Sequence, residues 1–479
     1  MVSGPRPKVV IAGASGFVGR SLAPALSAAF EVIGLSRTER EPGGGFDEFR
    51  VCDLFSLKDA EDALLGAEYA VYLVHNMMPS ARLTQGDFAD LDLVCADNFA
   101  RAAAGAGVKQ IVFLGGLTPE SGRLSSHLQS RCEVEKALGE HGVPVTTLRA
   151  GLILGGQGSS FQLMARLVER LPVMVCPRWT NIETQPVALA DVIQFISGVV
   201  GRQEHFGRTY DIGAPDVVTY KQMMAMIASE LGKRRLFIPS RFMSPGLSRL
   251  WVTLITGAPK SLVAPLVQSL KHKMVVRDHG LAEELGISRT STRDAIRQAL
   301  AESDGTVPHA FRGFVSRERL VRSVQRMRLP KGWTALRAAA EYLDWLPRFL
   351  NGLVRVELDS PERFSFVLWP FRASLLQLSR ASDRSGSDRQ LLYVTGGLLS
   401  REGGKPRFEL RQVLGGNTLL TVVHDYEPRL PWLVYVSTQA VFHRWLMGRF
   451  AAHLGRYAAV GEPAVDSQKV LPSQTLLED

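Results

Sequence analysis

The sequence predicts an α/β fold: a doubly wound parallel sheet with a small substrate-side subdomain, followed by an α+β domain built on an antiparallel sheet. Three observations carry this. Short apolar runs alternate with helix-length amphipathic stretches between residues 8 and 158, as in strands joined by crossover helices. From Val354 the apolar period falls to two, which half-buried strands require. The first apolar run ends in three glycines at intervals of three, where a strand would turn into a helix. A chain of 479 residues is too long for one ordinary core. The expected domains are residues 1–302 and 318–456, with a linker over 303–317 and a loose tail over 457–479.

Residues 8–19 read KVVIAGASGFVG. Val9, Val10 and Ile11 suit a buried strand. Gly13, Gly16 and Gly19 then allow a tight turn, close approach of backbone to a pyrophosphate, and close packing of helix on sheet. The helix mouth offers unpaired N–H groups and a partial positive charge to phosphates. Gly13, Ser15, Gly16, Phe17, Val18 and Gly19 are therefore the candidate phosphate cradle. The helix is expected over 17–29.

Residues 31–35 read as a second strand, which ends at Ser36 and Arg37. An acidic residue here would favour NAD. A hydroxyl and a guanidinium stand there instead, and the guanidinium fork pairs well with a 2′-phosphate, so NADP(H) is expected ahead of NAD(H). Asp53 and Leu54 close a third strand and face the adenine, or Asp53 caps the next helix. A fourth strand over 69–74 delivers Val74, His75 and Asn76 to its carboxyl end, where open α/β sheets bind ligands. A helix is expected over 91–106, a fifth strand over 110–114, a helix over 126–138 and a sixth strand over 145–148. A glycine-rich loop follows over 151–158. Residues 218–228 read as a capped helix.

Residues 236–270 are apolar and broken by four prolines. They suggest short helices walling an apolar cavity or lying on a membrane surface. Residues 271–300 read as polar helix. Residues 317–337 carry six arginines and a lysine, and read as a solvated helix face rather than a nucleic-acid site. Strands with turns follow from 354 to 426. Residues 432–454 read as one long helix, against which the sheet would enclose an apolar space.

The net charge is +9, which permits an anionic partner without requiring one. Cys52, Cys95, Cys132 and Cys176 are scattered with no metal-type spacing, so neither a metal site nor a disulfide framework is expected. The first strand begins too early to leave room for a signal peptide. A cytoplasmic protein is expected, with contact at the inner face of the membrane as an open alternative.

Residues 8–300 resemble the extended and atypical short-chain dehydrogenase/reductase superfamily, nearest its NmrA-like and NAD(P)H-binding epimerase-like members. The likeness rests on GASGFVG, LSR, CDL, YLVHNM, FLGGLTPE, HLQSRCEVEKAL, TTLRAGLILG and QPVALADV, in that order. It implies a Rossmann fold and a pyridine-nucleotide cofactor. The C-terminal part resembles a helix-grip (polyketide-cyclase or START-like) domain through RFELR, HDYEPRLPW and TQAVFHRWLM. Two departures stand out. The family's catalytic Tyr and Lys, four apart, are replaced by His127 and Arg131, and its Ser by Gly115 and Gly116. His127 is then the candidate proton donor, with Arg131 and Gly115 at the nicotinamide ribose. The reading is an NADPH-dependent reductase of a hydrophobic substrate (quinone-, isoprenoid- or lipid-like). A non-catalytic NADP(H) sensor or lipid carrier competes with it.

Overall fold

The computed structural model describes residues 4–75, 81–119, 124–240, 271–303, 320–401 and 406–460. The chain divides into two compact units, Met1–Met78 with Asp92–Gly313, and Pro79–Leu91 with Phe314–Asp479. Residues 304–319, which hold most of the expected linker, lie outside the described residues.

Unit 1 opens with β1 (Lys8–Ala12), α1 (Phe17–Leu26), β2 (Glu31–Ser36), β3 (Glu48–Val51), α2 (Leu57–Leu64) and β4 (Tyr69–Tyr72). The short β5 (Leu83–Gln85) goes with unit 2. Then come α3 (Phe88–Gly105), β6 (Gln110–Gly116), α4 (Ser126–Gly139) and β7 (Val145–Ala150). Small elements follow: β8 (Ile153–Leu154), α5 (Ser159–Arg170), β9 (Val173–Pro177), β10 (Glu183–Thr184), β11 (Val187–Ala188) and α6 (Leu189–Val199). The unit ends with β12 (Thr209–Ile212), β13 (Val218–Thr219), α7 (Tyr220–Glu230), β14 (Leu236–Ser240), α8 (Gly280–Glu284) and α9 (Thr292–Ala301).

Seven parallel strands form one sheet in the order β12-β7-β6-β4-β1-β2-β3. The strand order reverses at β1, between β4 and β2, which opens a crevice at the carboxyl ends of β1 and β4. The central strands are apolar throughout, because a sheet covered on both faces buries every side chain. Val9, Val10, Ile11, Ala70, Val71, Ile111 and Val112 are buried accordingly. Ser125 caps α4 by accepting from the Leu128 amide, and Thr219 and Gln222 form a capping box on α7.

Two expectations for this unit are corrected. Residues 236–240 form a strand beside β9 rather than a helix, and residues 241–270 lie outside the described residues. The stretch 271–300 is two helices, not one. Gly286 takes the left-handed φ of +65° that ends α8, and Ser291 caps α9 afresh.

Unit 2 contains β15 (Val321–Arg328), α10 (Ala335–Phe349), β16 (Val354–Ser360), β17 (Arg363–Leu368), β18 (Ala373–Arg380), β19 (Arg389–Gly396), β20 (Arg407–Val413) and β21 (Thr418–Tyr426). It closes with α11 (Trp432–Ser437) and α12 (Gln439–Val460). Its sheet runs β16-β17-β18-β19-β20-β21-β15-β5, antiparallel except for the last pair. Of the solvated basic helix expected over 317–337, residues 317–319 lie outside the described residues, 321–328 are β15, an inner strand, and 335–337 open α10. Arg322 pairs with Asp425 and Arg326 with Asp90, so these arginines are neutralised inside the sheet layer. The single helix expected over 432–454 is broken at Thr438, whose ψ is −82°. Ser437 and Thr438 hydroxyls bond back to the Leu433 and Val434 carbonyls, which favours a break after a β-branched run. Where Tyr342, Phe364, Phe366 and Phe408 meet, a gap of about 10 Å³ remains between α10 and the sheet.

Candidate active site

The crevice of unit 1 is a cleft of about 390 Å³ at the carboxyl ends of β1, β4, β6 and β7. One wall is the turn from β1 into α1. Gly13 has φ +90°, and its amide-side turn is closed by the Gly16 N–H donating to the Gly13 carbonyl at 2.9 Å. A Cβ on Gly19 would lie 2.4 Å from the Gly13 carbonyl oxygen and 2.8 Å from the Ala14 Cα. No side chain caps α1 at Gly16. Gly13, Gly16, Phe17, Val18 and Gly19 all line the cleft; Ser15 stands exposed on the same turn.

The opposite wall is α4. Its periodicity turns His127 and Arg131, one turn apart, toward the sheet. Arg131 is buried, and its guanidinium donates to the Val74 carbonyl at 3.2 Å and the Leu114 carbonyl at 2.8 Å. It lies over the Phe113 ring, 4.8 Å from the centroid. The fork therefore ties the ends of β4 and β6 together. Burial lowers its pKa, an effect that nearby Asp92 opposes. Gly115 and Gly116 line the cleft beside it, and a side chain on Gly115 would press on Phe113.

His75 and His127 stack obliquely across the cleft, with ring centroids 5.0 Å apart. Burial, together with the neighbouring His75 and Arg131, pushes the His127 imidazole down to about 4. His127 is thus neutral near pH 7. His75 has a carboxylate partner: its Nδ1 is 2.9 Å from Oδ2 of Asp92, a buried residue on α3. Its Nε2 makes no hydrogen bond and is shielded from bulk water.

The remaining sequence-derived residues lie along the β2–β3 edge. Ser36 is buried and accepts from Arg40 Nε at 3.0 Å. Arg37 is exposed just past β2. The Asp53 carboxylate accepts from the Phe55 amide, and the Leu54 carbonyl from Asn98, so Asp53 shapes the turn before α2, which Ser56 caps. Asn76 lies outside the described residues. Sequence reasoning missed Asp92, the far lining of Leu152, Ile153, Ser159 and Ser160, and Tyr220. Burial pushes the Tyr220 phenol up to about 12. The signal for Asp92 was an acid inside the apolar run LDLVCADNF.

Residues 9–160 match the family described as "NAD dependent epimerase/dehydratase family". The chain is 29% identical over 144 residues to the Staphylococcus aureus "Auxiliary protein GraX", a match covering 30% of this chain and 43% of that protein, so it spans less than half of that relative's length. It is 26% identical over 274 residues to the Streptomyces griseus "(4-alkanoyl-5-oxo-2,5-dihydrofuran-3-yl)methyl phosphate reductase", covering 55% of this chain and 86% of that enzyme. A solved nucleoside-diphosphate-sugar epimerase from Staphylococcus aureus superposes with a TM-score of 0.50 at 13% identity, over 60% of this chain and 99% of that one. Residues 9–160 therefore resemble that family, and the sheet of unit 1 is of Rossmann type.

Proposed function

We propose that unit 1 binds a pyridine dinucleotide, NADP(H) ahead of NAD(H), and reduces a hydrophobic substrate bearing a polarised double bond. The observation that carries this reading is that the glycine mouth of α1 and the His75, His127 and Arg131 cluster open into one cleft. The residues present fit such a cofactor. Gly13, Gly16 and Gly19 form a cradle whose close approach a Cβ would fill, and Arg37, exposed just past β2, is the candidate partner of a 2′-phosphate. The reductase relative from Streptomyces griseus, matched over 86% of its length, supports the reaction class.

A bound nicotinamide would supply the hydride; the chain's own residues supply position and protons. Leu114, Leu117, Leu152, Ile153 and Met274 make the far wall apolar, which suits a hydrophobic substrate. Asp92 holds His75 by Nδ1, which orients the ring and leaves Nε2 directed away from the carboxylate. This makes His75, rather than His127, the proton donor in our reading. His127, neutral, hydrogen-bonds or packs against the bound group. Arg131 keeps the strand ends in place and is not free to grip a ribose with both arms.

The test is equilibrium titration of the full chain with NADPH and NADH, followed by turnover with quinones, enones and aldehydes. Micromolar NADPH affinity that drops about tenfold or more in Arg37→Ala, with NADH affinity little changed, supports the cofactor assignment. No affinity for either nucleotide removes the proposal. The absent phenol favours a second reading, a nucleotide-sensing protein; NADPH binding without turnover on any of these substrates would select it.

A further inference from the structure

We infer that the face formed by α11 and the first turns of α12 is a docking surface for an anionic lipid bilayer. Leu433 is 82% exposed, Phe442 48% and Trp445 43%, and Val434, Val436 and Val441 are exposed beside them. This is not the inward side of α12. Ala440, Leu446, Met447, Phe450 and Leu454 already fill that role and are buried. The helix is therefore apolar on both sides over its first turns, where a water-facing surface would carry charge.

Charge chooses the occupant. From 428 to 460 the chain contains no Asp or Glu, while Arg429, Arg444 and Arg449 are exposed around the patch. Of the acids on neighbouring elements, Glu427 pairs with Arg401 and Glu341 of α10 hydrogen-bonds His453, while Asp344 of α10 is exposed. Aromatic groups join the patch to α10, with the Trp445 ring 5.5 Å from those of Phe442 and Phe349. Exposed aliphatics and a Trp ringed by arginines match the headgroup boundary of a bilayer, where anionic lipids attract the basic rim. A second copy of this chain fits worse, because two-fold pairing would set the same acid-free, arginine-bearing surface against itself. The break at Thr438 lets the short α11 present Leu433 separately from α12. Among the described residues no helix is long and apolar enough to cross a membrane, so the chain would lie on the surface.

The experiment is co-flotation of the full chain with vesicles of phosphatidylcholine alone and of phosphatidylcholine mixed with phosphatidylglycerol. Binding is expected with the anionic vesicles only, weakening as salt rises. Leu433→Glu and Phe442→Glu should each weaken it roughly tenfold, and Arg444→Glu with Arg449→Glu by a similar factor. Leu65→Glu, at an exposed apolar position of unit 1, should leave it unchanged. Circular dichroism confirms that each variant is folded. Absence of flotation overturns the inference, and so does equal binding to neutral vesicles. A dimer in sedimentation that Leu433→Glu disperses, without flotation, also overturns it and identifies self-association.

Discussion

His75 Nδ1 stands 2.9 Å from Asp92 Oδ2, both residues belonging to unit 1. The pair has the form of an imidazole oriented by a buried carboxylate, with the second ring nitrogen pointing away. Such an arrangement fixes the orientation of the ring.

If His75 donates the proton, His75→Gln and Asp92→Asn should cut turnover by about 10²–10⁴-fold while NADPH affinity stays within a few-fold. His127→Asn should cost less. Steady-state kinetics beside a binding titration read both. Equal loss of binding and turnover in the His75 variant would reduce the residue to a cofactor contact.

Gly19→Ala places a methyl 2.4 Å from the Gly13 carbonyl oxygen, and that neighbour is backbone, which cannot swing aside. The turn and helix must move apart. A loss of about 1–3 kcal/mol in urea unfolding is expected, together with at least a tenfold loss of nucleotide affinity. Gly448→Ala, with open space around its Cβ position, is the matched control and should stabilise or do nothing.

Arg131→Met removes the charged donors to the Val74 and Leu114 carbonyls but keeps much of the stem. Two carbonyls are left to find other partners, which costs about 2–4 kcal/mol by chemical denaturation. Arg131→Lys reaches fewer acceptors and should fall between the two. An unchanged midpoint for Arg131→Met would mean that the fork serves a ligand and not the strand ends.

His127 predicts an acid-sensitive unit 1. Burial first, then the neighbouring His75 and Arg131, holds its folded pKa near 4 against 6.5 for the free side chain. The unfolded chain therefore binds the proton first as pH falls. The stabilising contribution is complete above about 6.5 and is lost as pH drops toward 4, by at most about 3 kcal/mol. His443 is pushed down to about 4 by burial as well and adds to the loss in unit 2. Urea midpoints measured from pH 7.5 to 4 should fall, with a shallower slope in His127→Asn.

What could be read from residue order is local. The glycine spacing after an apolar strand is enough to describe the α1 mouth, because turn, helix start and close packing are decided within twelve residues. The period of two after Val354 likewise announces the strands of the second sheet. That His127 and Arg131 stand where the resembled superfamily has Tyr and Lys is visible in the letters alone. Long-range partners are not. Arginines at 322 and 326 look like a solvated face until Asp425 and Asp90 are brought beside them. Residues 83–85 carry too weak a pattern to announce a strand, and it is pairing with β15 that makes them one.

The chain's letters thus specify the glycine turn at the mouth of α1 and the His and Arg at 127 and 131, since both are local in sequence. Only folding in three dimensions gives His75 its carboxylate and commits the Arg131 fork to two strand ends. It also leaves Leu433, Phe442 and Trp445 facing outward. Each of these depends on which surface another segment covers, and that is settled by packing across the whole sheet rather than by any local period.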